Sequence, residues 1–127
     1  QVYRQALELD SANPEVVDEV GRFYLEQQRW DQAVQVYLQA LELGYQDAQV
    51  YNNLGVAYLQ KRDYPTAIGW LERAARHNPA YARGHVNLAE ALAAAGEVDR
   101  ARAALRQALE LEPDNLRALR ALKALGP

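Results

Sequence analysis

The sequence predicts an all-α fold, a solenoid of stacked antiparallel helix pairs, on three observations. A period of 34 residues runs through the chain: Val20, Leu54, Leu88 and Leu122 are spaced by it, as are Ala33, Ala67 and Ala101, and Ala40, Ala74 and Ala108. A fixed period of that length marks a repeat architecture, in which each unit buries its apolar face only against its neighbours. Within a period the apolar spacing is helical, with Tyr51, Leu54, Gly55 and Tyr58 at i, i+3, i+4, i+7 and Ala67, Leu71 and Ala74 at i, i+4, i+7. Turn-forming residues then break the pattern twice per period, once inside the unit and once at its end.

Taken in chain order, residues 1–13 carry Tyr3, Ala6 and Leu9 in register with Tyr37, Ala40 and Leu43. They are expected to form a half repeat, a second helix whose first helix is missing, as in an excerpt of a longer array. The first full unit, 14–47, turns at Gln28-Arg29 and joins the next at Gly44-Tyr45. The second, 48–81, turns at Arg62-Asp63, tolerates Pro65 because it falls in the first turn of its helix, and ends at Asn78-Pro79. The third, 82–115, turns at Gly96-Glu97 and ends at Glu112-Pro113. Residues 116–125 repeat the first-helix stripe with Leu116, Leu119, Leu122 and Leu125, but Lys123 stands where a small residue would meet a following helix. This segment is expected to be a capping helix with Arg117 and Arg120 on its wet side. Gly21, Gly55 and Ala89 are expected to face Ala33, Ala67 and Ala101 where the two helices of a unit approach, and a large side chain there should splay the pair.

Composition narrows the function classes. The chain has 127 residues, 50% hydrophobic and 24% charged, which suits one folded domain. A net charge of -3 argues against a partner that is a polyanion such as nucleic acid. Without cysteine there is no disulfide, thiolate metal site or thiol nucleophile. Apolar runs reach only a handful of residues, so no bilayer-spanning segment is predicted.

The catalytic inventory is thin. Ser11 is the only serine and Thr66 the only threonine, and Ser11 lies in a join where turn or capping use is the simpler role. His77 and His85 have no accompanying ligand motif. His77 is expected at a helix C-terminus, and His85, in the column of Val17 and Tyr51, as a packed histidine. Glycines never cluster into a phosphate loop. No catalytic residue, cofactor or metal is expected. Trp30, Tyr24, Tyr37, Tyr51, Tyr58 and Tyr64 occupy columns expected to be buried, whereas Trp70 and Tyr81 lie outside them.

The pattern of Tyr51, Leu54, Gly55, Tyr58, Ala67, Leu71, Ala74 and Pro79 resembles the tetratricopeptide repeat, and the resemblance covers the chain. The first unit departs from it with Val17 and Tyr45, the third with His85 and Ala89. The resemblance implies a right-handed superhelix of three full repeats with a half repeat before them and a capping helix after. It also implies a concave groove lined by first-helix residues that the core does not use. Here these include Asp18, Glu19 and Arg22 in the first unit, Asn52, Asn53, Val56, Leu59 and Gln60 in the second, and Arg83, Val86, Asn87 and Glu90 in the third, followed by Arg117 and Arg120 of the cap.

That face changes from acidic to basic along its length, as does the whole chain. Residues 1–72 hold eleven acids against five bases, and residues 73–127 six against nine. Asn53 and Asn87, 34 apart, are expected to project equivalently and resemble a short form of the asparagine ladder in the superhelix of O-linked N-acetylglucosamine transferase. The family's carboxylate clamp for acidic chaperone tails fits poorly. In its frame only Asn53 matches in kind and Arg83 conservatively, while Asp18, Arg22 and Asn87 replace a Lys, an Asn and an Arg. An acid at a cation's place repels a terminal carboxylate. The expected role is a non-catalytic module holding an extended or short helical peptide segment of a protein partner. Self-association through exposed solenoid ends, giving a homo-oligomer, is the alternative.

Overall fold

The computed structural model describes residues 13–126, so the half repeat expected at 1–13 lies outside the described residues but for Asn13. Seven helices and no strand occur among them: α1 (Pro14–Glu26), α2 (Trp30–Glu42), α3 (Ala48–Gln60), α4 (Tyr64–His77), α5 (Ala82–Ala94), α6 (Val98–Leu111) and α7 (Leu116–Leu125). The chain is an all-α superhelical solenoid.

Local chemistry sets the helix boundaries. Asn13, Asp47 and Asn115 cap α1, α3 and α7, each side chain accepting one of the N–H groups that the first turn leaves unpaired. At the end of α1, Arg29 N–H reaches the Tyr24 carbonyl at 2.9 Å and Gln28 N–H the Leu25 carbonyl at 3.1 Å. This double closure places Gln28 in the left-handed region, with φ of 58°. Arg62 and Gly96, at the same place in the next two repeats, have φ of 66° and 86°. Only the third repeat uses the residue that adopts this conformation without steric cost.

Each odd-numbered helix packs on the even-numbered helix that follows it, each even-numbered helix on the next odd one, and α1, α3, α5 and α7 touch in sequence. The odd helices therefore share one face of the solenoid. Ala33, Ala67 and Ala101, Tyr37, Leu71 and Leu105, and Ala40, Ala74 and Ala108 are all buried and form the spine. Half-buried Tyr58 packs against both the N-terminal and the C-terminal core clusters and joins them.

Three expectations need correction. A Cβ on Gly21 would stand 2.3 Å from Tyr37 Cζ, and one on Gly55 2.4 Å from Leu71 Cγ. The glycines thus lie first under the large spine residues, and Gly55 meets Ala67 next, with the Ala67 backbone oxygen at 3.3 Å. Among the aromatics expected in the core, Tyr37 and Tyr51 are buried, while Tyr24, Trp30, Tyr58 and Tyr64, at helix ends next to the turn inside each unit, are half-buried. Trp70 and Tyr81 are also half-buried, and Trp70 stacks on Tyr51 at 6.0 Å with Arg73 over both rings. Finally, α7 is less polar outside than a cap should be. Leu122 and Leu125 pack on the core, but Leu116 and Leu119 are 56% and 44% exposed.

His77 is the last residue of α4, with its ring edge-on to Tyr51. His85 is buried, with Nε2 2.8 Å from the Pro79 carbonyl. No helix among the described residues is long and apolar enough to cross a membrane.

Candidate interaction groove

The shared face of α1, α3, α5 and α7 is built from columns in which one helical position recurs down the solenoid. One column runs Glu15, Gln49, Arg83, Arg117 and its neighbour runs Asp18, Asn52, Val86, Arg120. The first passes from acid through amide to base and the second from acid through amide and valine to base, so the charge gradient is written into equivalent positions of successive helices.

At the acidic end, Asp18 accepts from Gln49 Nε2 at 3.1 Å and pairs with Arg22 at 3.1 Å, one turn away. Partial burial, opposed by Arg22 and reinforced by Asp47, raises the Asp18 carboxyl above the usual range. Asp18 and Asp47 also line a recess of about 170 Å³ between α1 and α3.

The amides do not form the ladder expected of them. Asn53 donates from Nδ2 to the Tyr37 hydroxyl at 3.1 Å, on the second helix of the preceding repeat. Asn87 donates to Asn52 Oδ1 at 2.9 Å, across to the preceding repeat. The reason lies sixteen residues upstream of each. Asn53 finds Tyr37 there, whereas Asn87 finds Leu71, which has no hydroxyl. Asn52, Asn53 and Asn87 are all buried, and Val86 and Leu59, expected as an apolar floor, are only 4% and 8% exposed. Val56 is half-buried, while Glu19, Gln60, Arg83, Glu90, Arg117 and Arg120 are exposed.

At the basic end, Arg117 donates to Asn87 Oδ1 at 3.0 Å and pairs with Glu90 at 3.3 Å. Arg83 stands one repeat earlier in the same column, where the residues corresponding to Asn87 and Glu90 are Asn53 and Val56. The acid is missing, and among the described residues no hydrogen bond or ion pair engages the Arg83 side chain. Two recesses adjoin here. One, of about 610 Å³, is polar and takes in Gln49, Tyr81, Arg83, Asn115 and Arg117. The other, of about 240 Å³, is mostly apolar and lies between α5 and α7 over Ala89, Ala93, Ala121 and Leu125. Val86 and Arg117 line both. Glu19, Gln60 and Arg120 border neither. No group of carboxylates and histidines able to hold a metal ion occurs among the described residues.

Two tetratricopeptide repeat models match, over residues 21–82 and 58–126. The chain belongs to the tetratricopeptide repeat family. No curated protein matches it. Among solved structures, the crystal structure of MamA superposes with a TM-score of 0.88 at 25% identity, over 97% of this chain and 72% of that one. The tetratricopeptide repeat domain of Arabidopsis OM64 gives 0.84 at 28% identity, over 87% and 92%. The first such domain of Spaghetti, bound to the HSP90 peptide SRMEEVD, gives 0.85 at 24% identity, over 91% and 92%.

One structural contact of this tetratricopeptide repeat domain leaves no mark in the sequence pattern. Arg102 of α6 donates to the carbonyls of Gly126 and Leu125, both at 3.3 Å, and closes the end of α7. Its position in an outward-facing helix gave no signal, because the carbonyls it satisfies exist only once α7 has docked.

Proposed function

We propose that this tetratricopeptide repeat domain is a non-catalytic interaction module whose concave face, made by α1, α3, α5 and α7, receives an extended or short helical segment of a protein partner. The observation that carries this reading is the pair of adjoining recesses at α5 and α7, one polar and one apolar, sharing Val86 and Arg117. A surface that offers a charged group beside an apolar hollow matches the way peptide segments are recognised, by a few side-chain anchors on a preformed scaffold. The same fold holds a peptide in the Spaghetti complex. Among the described residues Asn53 Oδ1 accepts no hydrogen bond, which leaves it for a peptide backbone N–H. Asn87 is committed to Asn52 and Arg117, so backbone recognition falls to Asn53.

Acidic chaperone tails are not the ligand in this reading. Asp18 occupies the place of the first clamp cation, and Arg22, which could offset it, is already paired with it. NMR mapping of peptides selected from a random library tests the groove. Resonances of the concave faces of α1, α3, α5 and α7 should shift, and shifts confined to α2, α4 and α6 would remove the proposal.

Exposed Leu116 and Leu119 favour a second reading, self-association through the outer face of α7. Light scattering across a hundredfold range of concentration, about the span over which weak dimers appear, separates the two, since a persistent monomer contradicts it.

A further inference from the structure

We propose that the groove between α5 and α7 recognises a peptide segment in which an acidic side chain lies close to an apolar one. The carboxylate pairs with Arg83, and the apolar side chain fills the recess bounded by Ala89, Ala93, Ala121 and Leu125. This inference rests on the groove reading and names the chemistry of the partner.

The apolar recess exists because side chains are cut short at that end of the solenoid. Ala93 stands in the column of Leu25 and Leu59, and Ala121 in the column of Asn53 and Asn87. The large residues that fill these columns upstream are missing here, and a hollow of about 240 Å³ remains. It is smaller than a site for a drug-sized molecule and suits one aliphatic or aromatic side chain.

The electrostatics select an acid as the neighbour of that side chain. Arg117 already engages Asn87 and Glu90 through one of its Nη atoms. Arg83 is exposed at the edge of the polar recess without an acidic partner, because Val56 stands where Glu90 stands one repeat later. Glu112, the carboxylate that borders the polar recess, accepts from the Asn115 amide at 3.0 Å. An exposed cation in a polar recess that shares Val86 with an adjoining apolar hollow orients a partner by charge, and the hollow holds it by burial.

A random heptapeptide library with amidated C-termini, panned against the domain and followed by fluorescence anisotropy, provides the test. The selected peptides should place Asp or Glu within a few residues of Leu, Ile or Phe. Arg83→Glu should weaken them by about tenfold or more, and Arg83→Lys much less. Ala93→Leu, which restores the residue that α1 and α3 carry in that column, should fill the hollow and weaken them similarly while circular dichroism stays unchanged. Basic or uncharged peptides bound on the concave face, or acidic ones insensitive to both Arg83→Glu and Ala93→Leu, would overturn this inference and leave the groove reading standing. Peptides that map to the convex side, or none selected at all, would overturn both.

Discussion

The Asn87 amide donates to Asn52 Oδ1 across the α3–α5 contact at 2.9 Å, while its own Oδ1 accepts from Arg117 at 3.0 Å. One buried side chain thus ties three successive first helices together. Removing either asparagine leaves a buried polar partner unpaired, which costs roughly 1–3 kcal/mol. Asn52→Ala and Asn87→Ala should each lower the unfolding free energy measured by urea titration by that amount. The double variant should cost clearly less than their sum, because the second truncation removes the group that the first had orphaned. Additive losses in a double-mutant cycle would show that the bond contributes nothing.

Tyr37 binds Asn53 through its hydroxyl and lies over Gly21 with its ring. Burial, with the Asp18 charge adding to it, pushes the phenol well above its usual range, so it stays protonated wherever the fold is intact. Tyr37→Phe keeps the ring and orphans the Asn53 amide, with an expected loss of about 1 kcal/mol. A Tyr37→Phe domain as stable as the parent in denaturant titration would refute that account.

Two glycines on adjacent helices should respond in opposite directions to the same change. Gly55→Ala gains helix propensity but drives a Cβ to 2.4 Å from Leu71 Cγ, in a buried contact with no room to yield. The net loss should be about 1–3 kcal/mol. Gly69, exposed on α4, has nothing within 4 Å of its would-be Cβ, so Gly69→Ala should stabilise by about 0.5–1 kcal/mol. Thermal melts of the two variants side by side decide the matter.

Asp18 is partly buried, and its carboxyl is raised above the ordinary value of 3.8. A raised folded value means that stability is fully present below the ordinary value and is lost as pH rises through the folded one. Asp18→Asn removes that loss. It should therefore stabilise the domain at neutral pH, by less than about 0.5 kcal/mol given solvent screening, and make no difference near pH 3. An unfolding midpoint lowered at neutral pH would show that the Arg22 pair outweighs the burial.

Much of the architecture was legible in advance because it depends on periodicity alone. The 34-residue recurrence of Ala33, Tyr37 and Ala40 with Ala67, Leu71 and Ala74 determined where helices lie and which faces turn inward. The columns of the groove and their change of sign were equally readable, since they follow from the same register. Positions in a column are equivalent in backbone geometry, and that is all that periodicity conveys.

Whom each side chain meets was decided by neighbours from other repeats. Asn53 and Asn87 share a column yet bond in different directions, because one lies beside a phenol and the other beside Leu71. Arg83 and Arg117 share another, and only the second finds an acid within reach. By itself the sequence determined the helices, their spine and the sign of the face they present. Tertiary structure decided which polar groups are spent inside the fold and which are left exposed, because hydrogen bonds and ion pairs act over a few ångströms between side chains that only packing brings together.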